Sequence, residues 1–279
     1  MGVQHCLSVD VEGFVEGMAE SFPVSEMYFN QEAETREIEA NVEATLFLFD
    51  QLQIVGTFFI LGRIAKILPN VTKKIASHGH EIASHSLFHK RIYNQSRSEF
   101  EQDLIRSKHF LEDITGQRVC GFRAPDFSIT ENSLWALDVI REAGFVYDSS
   151  LTPTNIHDVY GLPGRPVCVH RLGNGLWEFP PSTFSILGKT IPFGGGGYMR
   201  LYPTWLTRIL LHQKDRRYHS CMLYMHPYEL GPVIPLIDGL SAYRKFRHYY
   251  NVKSGGRKLQ RVVKNFNFTK ALSIISEQD

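Results

Sequence analysis

A recurring pattern most constrains what this chain can fold into. Short apolar runs end in polar or titratable residues, and stretches with helical spacing separate them. The runs are HCLSVDV (5–11), VGTFFIL (55–61), HEIASHS (80–86), VCGFRAP (119–125), FVYDSS (145–150), LWEFPPS (176–182) and SCMLYMHP (220–227). VGTFFIL is almost wholly apolar, as expected of a strand covered on both faces. Between the runs, residues 35–52 predict a helix with Leu46, Phe49 and Leu52 on its apolar side and Glu37, Glu39 and Glu43 on its polar side. Ile64, Ile67, Leu68, Val71 and Ile75 predict a second helix, interrupted near Pro69. Ser98–Thr115 carries Phe100, Leu104, Phe110, Leu111 and Ile114 at helical spacing, with Gly116 as its stop. Thr130–Ala143 is a further helix between a Thr130 cap and a Gly144 stop. Strand–helix alternation predicts a mostly parallel sheet with helical crossovers. Chemistry then belongs at the C-terminal strand ends. Because chemically capable residues follow many strands, a closed or nearly closed barrel is predicted over an open sheet, which concentrates its site at one switch point.

The chain has 279 residues and is 43% hydrophobic, enough for one large α/β domain or two smaller ones. Its formal net charge of +1 gives no reason to expect nucleic-acid binding. Cys6, Cys120, Cys168 and Cys221 lie far apart without a CxxC pair, which argues against a zinc knuckle or a disulfide framework. They read as buried thiols in a reducing compartment. The opening MGVQHCLSVDVEGF lacks a basic region followed by a long apolar run. Cys6 stands where a myristoylation signal wants Ser or Thr. No stretch approaches ~18 apolar residues, so no transmembrane segment is expected.

Residues 151–175 are rich in Pro, Gly and His and predict a long loop. GGGG at 194–197 is read as a flexible loop near the site; it lacks the lysine of a phosphate-binding loop. From Gly239 to Ser276 there are nine Lys or Arg and no Asp or Glu. The predicted organisation is a barrel over residues 1–235 and a basic, aromatic C-terminal extension over 236–279 packed on it. That extension has two readings. It is a solvated face with aromatic anchors, or it attracts an anionic glycan, a lipid-linked phosphate or an acidic surface, with weak association.

His85 and His89 are the leading chemical signal. Residues four apart share a face of a helical turn, and a strand-to-turn junction also brings them together. With a carboxylate they make a three-ligand site for zinc or a similar ion, leaving positions open for water. Asp10 and Glu12 share a side of a strand end because side-chain direction repeats every two residues. Two buried acids there would repel; a metal takes one and leaves the other as a general base toward water. Arg123 offers a rigid fork to orient that base, or forms an ordinary structural ion pair. Asp126 reads equally as a surface acid or a ligand. His226, ending an apolar run, is positioned to protonate a leaving amine or to pack as a core histidine. Trp177 and Phe179 either line a sugar-sized slot or pack in the core. Glu178 and Glu229 both remain candidates to hold an imidazole tautomer. His80 is a tempting extra ligand, but its odd separation from His85 on a strand reverses its face.

Over about positions 5–230 these residues resemble the NodB-type polysaccharide deacetylases, carbohydrate esterase family 4 in the broad sense. HSLFH matches the family's HSxxH motif. RAPDF matches RxPxY with Phe127 in the last place, LWEFP resembles a tryptophan-bearing motif, and MLYMHP matches a strand-borne histidine. The resemblance implies a distorted (β/α) barrel, often with seven strands, and a metal held by a carboxylate and two histidines. It places Asp10 on the catalytic base, His85 and His89 on the metal histidines, Arg123 on the arginine tethering the base, and His226 on the catalytic acid. Trp177, Phe127 and Phe179 become expected substrate-lining residues. Val11 stands where the common motif has its metal-binding aspartate, and valine cannot ligate. A branch with a D-x-[DE] arrangement makes Glu12 the expected third ligand.

DVEGF, HPYE and the basic tail resemble a bacterial subgroup associated with exopolysaccharide and exosortase-linked loci, often cytoplasmic. The expected activity is metal-dependent removal of N-acetyl groups from a sugar, polysaccharide or lipid-linked glycan intermediate. Zn2+ is the expected ion, with Co2+, Ni2+ or Mn2+ as substitutes. Two alternatives stand beside it: hydrolysis of a small ureide or cyclic imide by the same machinery, and a non-catalytic module that binds acidic polysaccharide.

Overall fold

A computed structural model of the chain describes residues 2–19, 30–157, 160–217 and 219–278. The first apolar run forms β1 (Gln4–Val11), buried along almost its whole length. Then follow α1 (Glu16–Ala19), α2 (Gln31–Leu52), β2 (Thr57–Ile60), α3 (Gly62–Ile67), α4 (Pro69–Ser77), β3 (Glu81–Ser84) and α5 (Arg97–Thr115). The middle of the chain contributes β4 (Gly121–Phe122), α6 (Ala136–Glu142), β5 (Tyr147–Asp148), β6 (His170–Arg171) and β7 (Trp177–Glu178). A hairpin of β8 (Thr183–Ile186) and β9 (Lys189–Pro192) precedes α7 (Gly196–Leu201), α8 (Thr204–Asp215), β10 (Met222–Met225) and α9 (Pro227–Leu230). The chain ends with α10 (Ala242–Tyr249), α11 (Gly255–Val263), β11 (Asn267–Thr269) and α12 (Ala271–Ser276).

Local sequence accounts for many of these boundaries. Asn30 caps α2 by accepting the Ala33 N–H. Pro69 cannot continue α3, but its fixed φ suits the first position of α4, so the helix breaks and restarts there. Ser96 and Glu99 form a capping box at the start of α5, and Gly116, at φ 67°, ends it in the left-handed conformation. The stretch predicted as one helix over 130–143 is instead a 3₁₀ turn at Glu131–Ser133 followed by α6.

Neighbouring strands run in the order β10-β1-β2-β3-β4-β5-β7, all parallel, with β6 antiparallel beyond β7. The sheet curls into a distorted, incompletely closed (β/α)7-type barrel. No ladder joins β7 to β10 among the described residues. Ser182 and Gly194 bridge the gap instead: Ser182 N–H donates to Met222 O at 3.1 Å, and Tyr224 N–H to Gly194 O at 2.8 Å. The GGGG run differs from expectation here. Gly195 bridges to Tyr224, and Gly196 and Gly197 open α7. A Cβ on Gly195 would meet the Tyr224 ring, and one on Gly196 the Glu229 carboxylate, so close backbone approach is what the glycines supply.

The last segment joins the same sheet. β11 pairs with the start of β1, below β2, and α11 packs on α7 and α8. Arg208 Nη1 donates to the carbonyls of Arg261 (2.8 Å) and Lys264 (2.8 Å), and Phe266 and Phe268 pack on His5. Cys6, Cys120 and Cys221 are buried, Cys168 is partly buried, and all four are free thiols. No helix among the described residues is long and apolar enough to cross a membrane.

Glu37 departs from its expected place on the polar side of α2. It is buried and accepts the Phe14 N–H at 3.0 Å. Burial pushes its carboxyl up to about 7. Glu37 thereby ties α2 to the loop that follows β1.

Candidate active site

Four strand ends deliver side chains to one cavity of about 640 Å³, whose lining includes Asp10, Glu12, His85, His89 and His226. β1 supplies Asp10 and, one residue past its end, Glu12. The loop carrying Glu12 is clamped by Glu37 and by Arg63, which bonds both Glu16 and Glu34. Arg123, just after β4, is fully buried and donates from Nη1 to Asp10 Oδ1 at 2.6 Å and to Ser8 Oγ at 2.9 Å. Its remaining N–H groups reach Ser149, and its guanidinium stacks over the Phe59 ring at 4.0 Å. A planar fork fixed at so many points holds the carboxylate in one orientation.

His85 and His89 sit on a strand-to-turn junction after β3, the second of the two geometries that bring such a pair together. Two contacts that no spacing rule reveals shape the turn. Asp103, on α5, accepts the Leu87 and Phe88 N–H groups at 2.8 and 3.3 Å, and Ser107 Oγ donates to Ser86 O at 2.9 Å. Ser86 itself adopts φ 73°. His85 Nδ1 lies 2.8 Å from Arg123 O, so Nε2 is the nitrogen turned toward Glu12.

Glu12 Oε2 lies 2.8 Å from His89 Nε2 and 3.4 Å from His85 Nε2. Neither contact has hydrogen-bond geometry, and Oε2 is a buried oxygen that accepts no hydrogen bond. One ligand atom from each of Glu12, His85 and His89 lies within 4.8 Å of the others, the one such group among the described residues. An orphaned carboxylate oxygen and two imidazole nitrogens converging on one point, all buried, fit a divalent ion. Burial pushes the Glu12 carboxyl up, but the charge on His89 and the contacts from both histidines outweigh it and hold it well below the usual range. Burial likewise lowers His89, and Glu12 overcomes this to bring it up to about 10.

Across the cavity, His226 Nε2 lies 3.4 Å from Glu12 Oε1, and the imidazole stacks on Tyr228. Its Nδ1 meets Glu229 Oε2 at 3.1 Å, and Arg200 Nε donates to Glu229 Oε1 at 2.7 Å. The choice left open between Glu178 and Glu229 is thereby made. Burial raises the Glu229 carboxyl, but the Arg200 and His226 charges bring it down to about 2. Burial lowers His226, and its Glu229 and Glu12 neighbours raise it to about 9. Glu178 instead accepts the Leu151 N–H. Burial, and then the Asp148 charge, push its carboxyl well above the usual range.

Phe127 lines the cavity; Trp177 and Phe179 do not. Phe179 is buried in the cluster around Phe59 and Tyr147, and Trp177, partly buried, packs against it. Asp126 lines the cavity but is paired with Arg91 at 2.7 Å. His80 is buried against Phe58 and accepts the Gly56 N–H, far from His85 in role. Sequence reasoning missed Arg200 and Tyr160, Tyr198 and Tyr224, which also line the cavity. Arg200 carries no local signal, since its partners are distant in sequence.

The polysaccharide deacetylase family model matches residues 26–147, and a model described as a domain of unknown function (DUF3473) matches residues 149–276. A Bacillus cereus peptidoglycan-N-acetylglucosamine deacetylase is 31% identical over 167 residues, covering 54% of this chain and 58% of that enzyme. The chain therefore spans little more than half the length of that curated relative. Among solved structures, a candidate polysaccharide deacetylase from Mycobacterium smegmatis superposes with TM-score 0.67 at 20% identity, covering 100% of this chain and 91% of the other. The Puue allantoinase superposes with TM-score 0.62 at 15% identity, covering 98% and 89%.

Proposed function

We propose, from the match of residues 26–147 to the polysaccharide deacetylase family, that the chain hydrolyses the N-acetyl group of an N-acetylated glycan. The observation that carries this reading is the convergence of Glu12, His85 and His89 beside the Arg123-held Asp10 and opposite His226, in one cavity. Two imidazoles and a carboxylate suit Zn2+, with Co2+, Ni2+ or Mn2+ as substitutes. The chemistry such an ion supplies when bound is polarisation of a water and of the acetamide carbonyl. Asp10 accepts the proton of the attacking water, and Arg123 holds its carboxylate in place for that transfer. Glu229 holds Nδ1 of His226, so that Nε2 faces the cavity and donates a proton to the departing nitrogen. The amide C–N bond breaks, a C–O bond to water forms, and acetate and an amino sugar leave.

The bacterial relative, named for peptidoglycan N-acetylglucosamine, supports an N-acetylhexosamine in the substrate. The second family match is consistent with the exopolysaccharide-locus subgroup. The test is metal content of the protein as purified beside the His85→Ala, His89→Ala double variant, followed by acetate release from N-acetylated oligosaccharides. About one ion per chain in the parent, lost in the variant, together with acetate release supports the reading. Absence of bound zinc or cobalt after supplementation, or hydrolysis of a small ureide in place of acetate release, overturns it.

A further inference from the structure

The groups proposed to carry the chemistry are sunk in the cavity: Asp10, Glu12, His85 and His89 are all buried. The same cavity extends outward to α10, where no residue is buried. Tyr243, Phe246 and Tyr250 fall at i, i+3 and i+7 along that helix and its C-cap, which makes one stripe. All three line the cavity, and they are 70%, 51% and 41% exposed. The Phe246 and Tyr250 rings lie 4.8 Å apart, centroid to centroid, at 37°. A helix face packed on a core covers such rings. Here they form an aromatic plate open to whatever enters the cavity.

The plate is held in register with the site. Arg200 Nη1 donates to Tyr250 O at 2.5 Å and to His248 O at 3.3 Å, while its Nε donates to Glu229 Oε1 at 2.7 Å. Glu229 Oε2 in turn meets His226 Nδ1 at 3.1 Å. Tyr249, off the stripe, packs on Phe14 and donates to Pro235 O at 2.8 Å. Two side chains, Glu229 and Arg200, therefore link His226 to the backbone that carries the rings.

We propose that Tyr243, Phe246 and Tyr250 form a stacking subsite for a second sugar ring of the substrate, a neighbour of the N-acetylated ring whose amide reaches Asp10. This deepens the deacetylase reading and rests on it for the reacting ring. It also gives a binding role to part of the segment matched by the domain of unknown function. A ligand that touches both the buried acids and these rings needs a buried end and an exposed end, as two or more linked sugars have. Pyranose rings present flat C–H faces that pack on aromatic rings, and tyrosine adds a hydroxyl at the wet edge. Asp126 and Arg247 line the same cavity, polar groups that suit sugar hydroxyls and oppose an acyl chain.

The test is calorimetric titration of the full chain carrying Asp10→Asn, which limits turnover. The probes are N-acetylglucosamine, tetra-N-acetylchitotetraose and octyl N-acetylglucosaminide. The tetrasaccharide is expected to bind about tenfold or more tightly than the monosaccharide, and the octyl glycoside within about twofold of it. Adding Phe246→Ala should weaken the tetrasaccharide about three- to tenfold and so shrink its advantage over the monosaccharide. Tyr243→Ala and Tyr250→Ala should act in the same direction, and Phe246→Trp should keep the parent's affinity. With Asp10 restored, Phe246→Ala should raise KM for the tetrasaccharide by a larger factor than it lowers kcat. Equal affinities for one and four sugars, no binding of any probe, or an advantage untouched by all three alanine substitutions overturns the proposal. An octyl group that contributes as much as the added sugars, and loses its effect in the same variants, overturns it in favour of an acyl-binding surface. A chain-length advantage lost in the variants, without acetate release by the parent, would sink the deacetylase reading alone; acetate release without a chain-length advantage would sink this one alone.

Discussion

Arg123 holds Asp10 at 2.6 Å from a fully buried position, and Phe59 covers the guanidinium from one side. The pair joins β1 to β4, so it bears on the stability of the sheet as well as on the proposed base role of Asp10. Asp10→Asn is expected to lower turnover by ~10²–10⁴, the scale of a general base, with metal content unchanged. Arg123→Lys keeps charge but loses the fork, and should also lower turnover without releasing metal. Arg123→Ala leaves a buried carboxylate unpaired and should destabilise the fold by ~3–5 kcal/mol in urea melts. Full activity of Asp10→Asn on a verified substrate would remove Asp10 from the base role.

Metal loading should stabilise the chain. At a free ion concentration of about 100 times Kd the expected gain is ~2.7 kcal/mol, seen as a rise in Tm and reversed by chelation. His85→Ala should abolish both the rise and the metal content. A rise that survives in His85→Ala would place the ion elsewhere.

Glu229 connects Arg200 to His226. Glu229→Gln retains the shape but loses the charge that Arg200 and His226 share. It should lower kcat by a substantial part of the ~10²–10⁴ expected of an acid catalyst, while KM changes little. Gly196→Ala should mimic it, because the new Cβ displaces the Glu229 carboxylate. A kcat equal to the parent's in both variants would mean that His226 needs no such partner.

Glu178 predicts a pH dependence of stability. Its carboxyl is raised by burial and by Asp148, so the folded chain binds that proton more tightly than the unfolded one does. The contribution is complete below the unfolded pKa of about 4.3 and is lost as pH rises through the higher folded value. Glu178→Gln removes the titration, so its stability relative to the parent should improve steadily from about pH 4.5 toward neutrality. Parallel stability–pH curves for the two proteins would refute this.

Much of the frame is readable in the chain itself. Thr57–Ile60 falls inside the apolar run VGTFFIL, and α5 ends at the glycine that can adopt its left-handed cap. The break at Pro69 is where the ring removes a hydrogen-bond donor. Other features carry no comparable local mark. Glu37 looks like a solvated acid of an amphipathic helix until the Phe14 N–H is found against it. Trp177 and Phe179 look suited to a sugar slot, yet both pack with the cluster around Phe59 and Tyr147.

What the sequence by itself determined was the order of strands and helices and which residues stand at strand ends. Periodicity, capping and turn chemistry act between neighbours a few positions apart. What only the tertiary structure decided was which of those residues meet. Asp10 and Arg123 are 113 positions apart, and Arg200 and Tyr250 are 50 apart. Their meeting depends on how the sheet curls and where the last helices settle on it. The same arrangement selects Glu229 over Glu178 for His226 and brings Tyr243, Phe246 and Tyr250 to the cavity, because burial and long-range pairing are properties of the assembled barrel and not of any one segment.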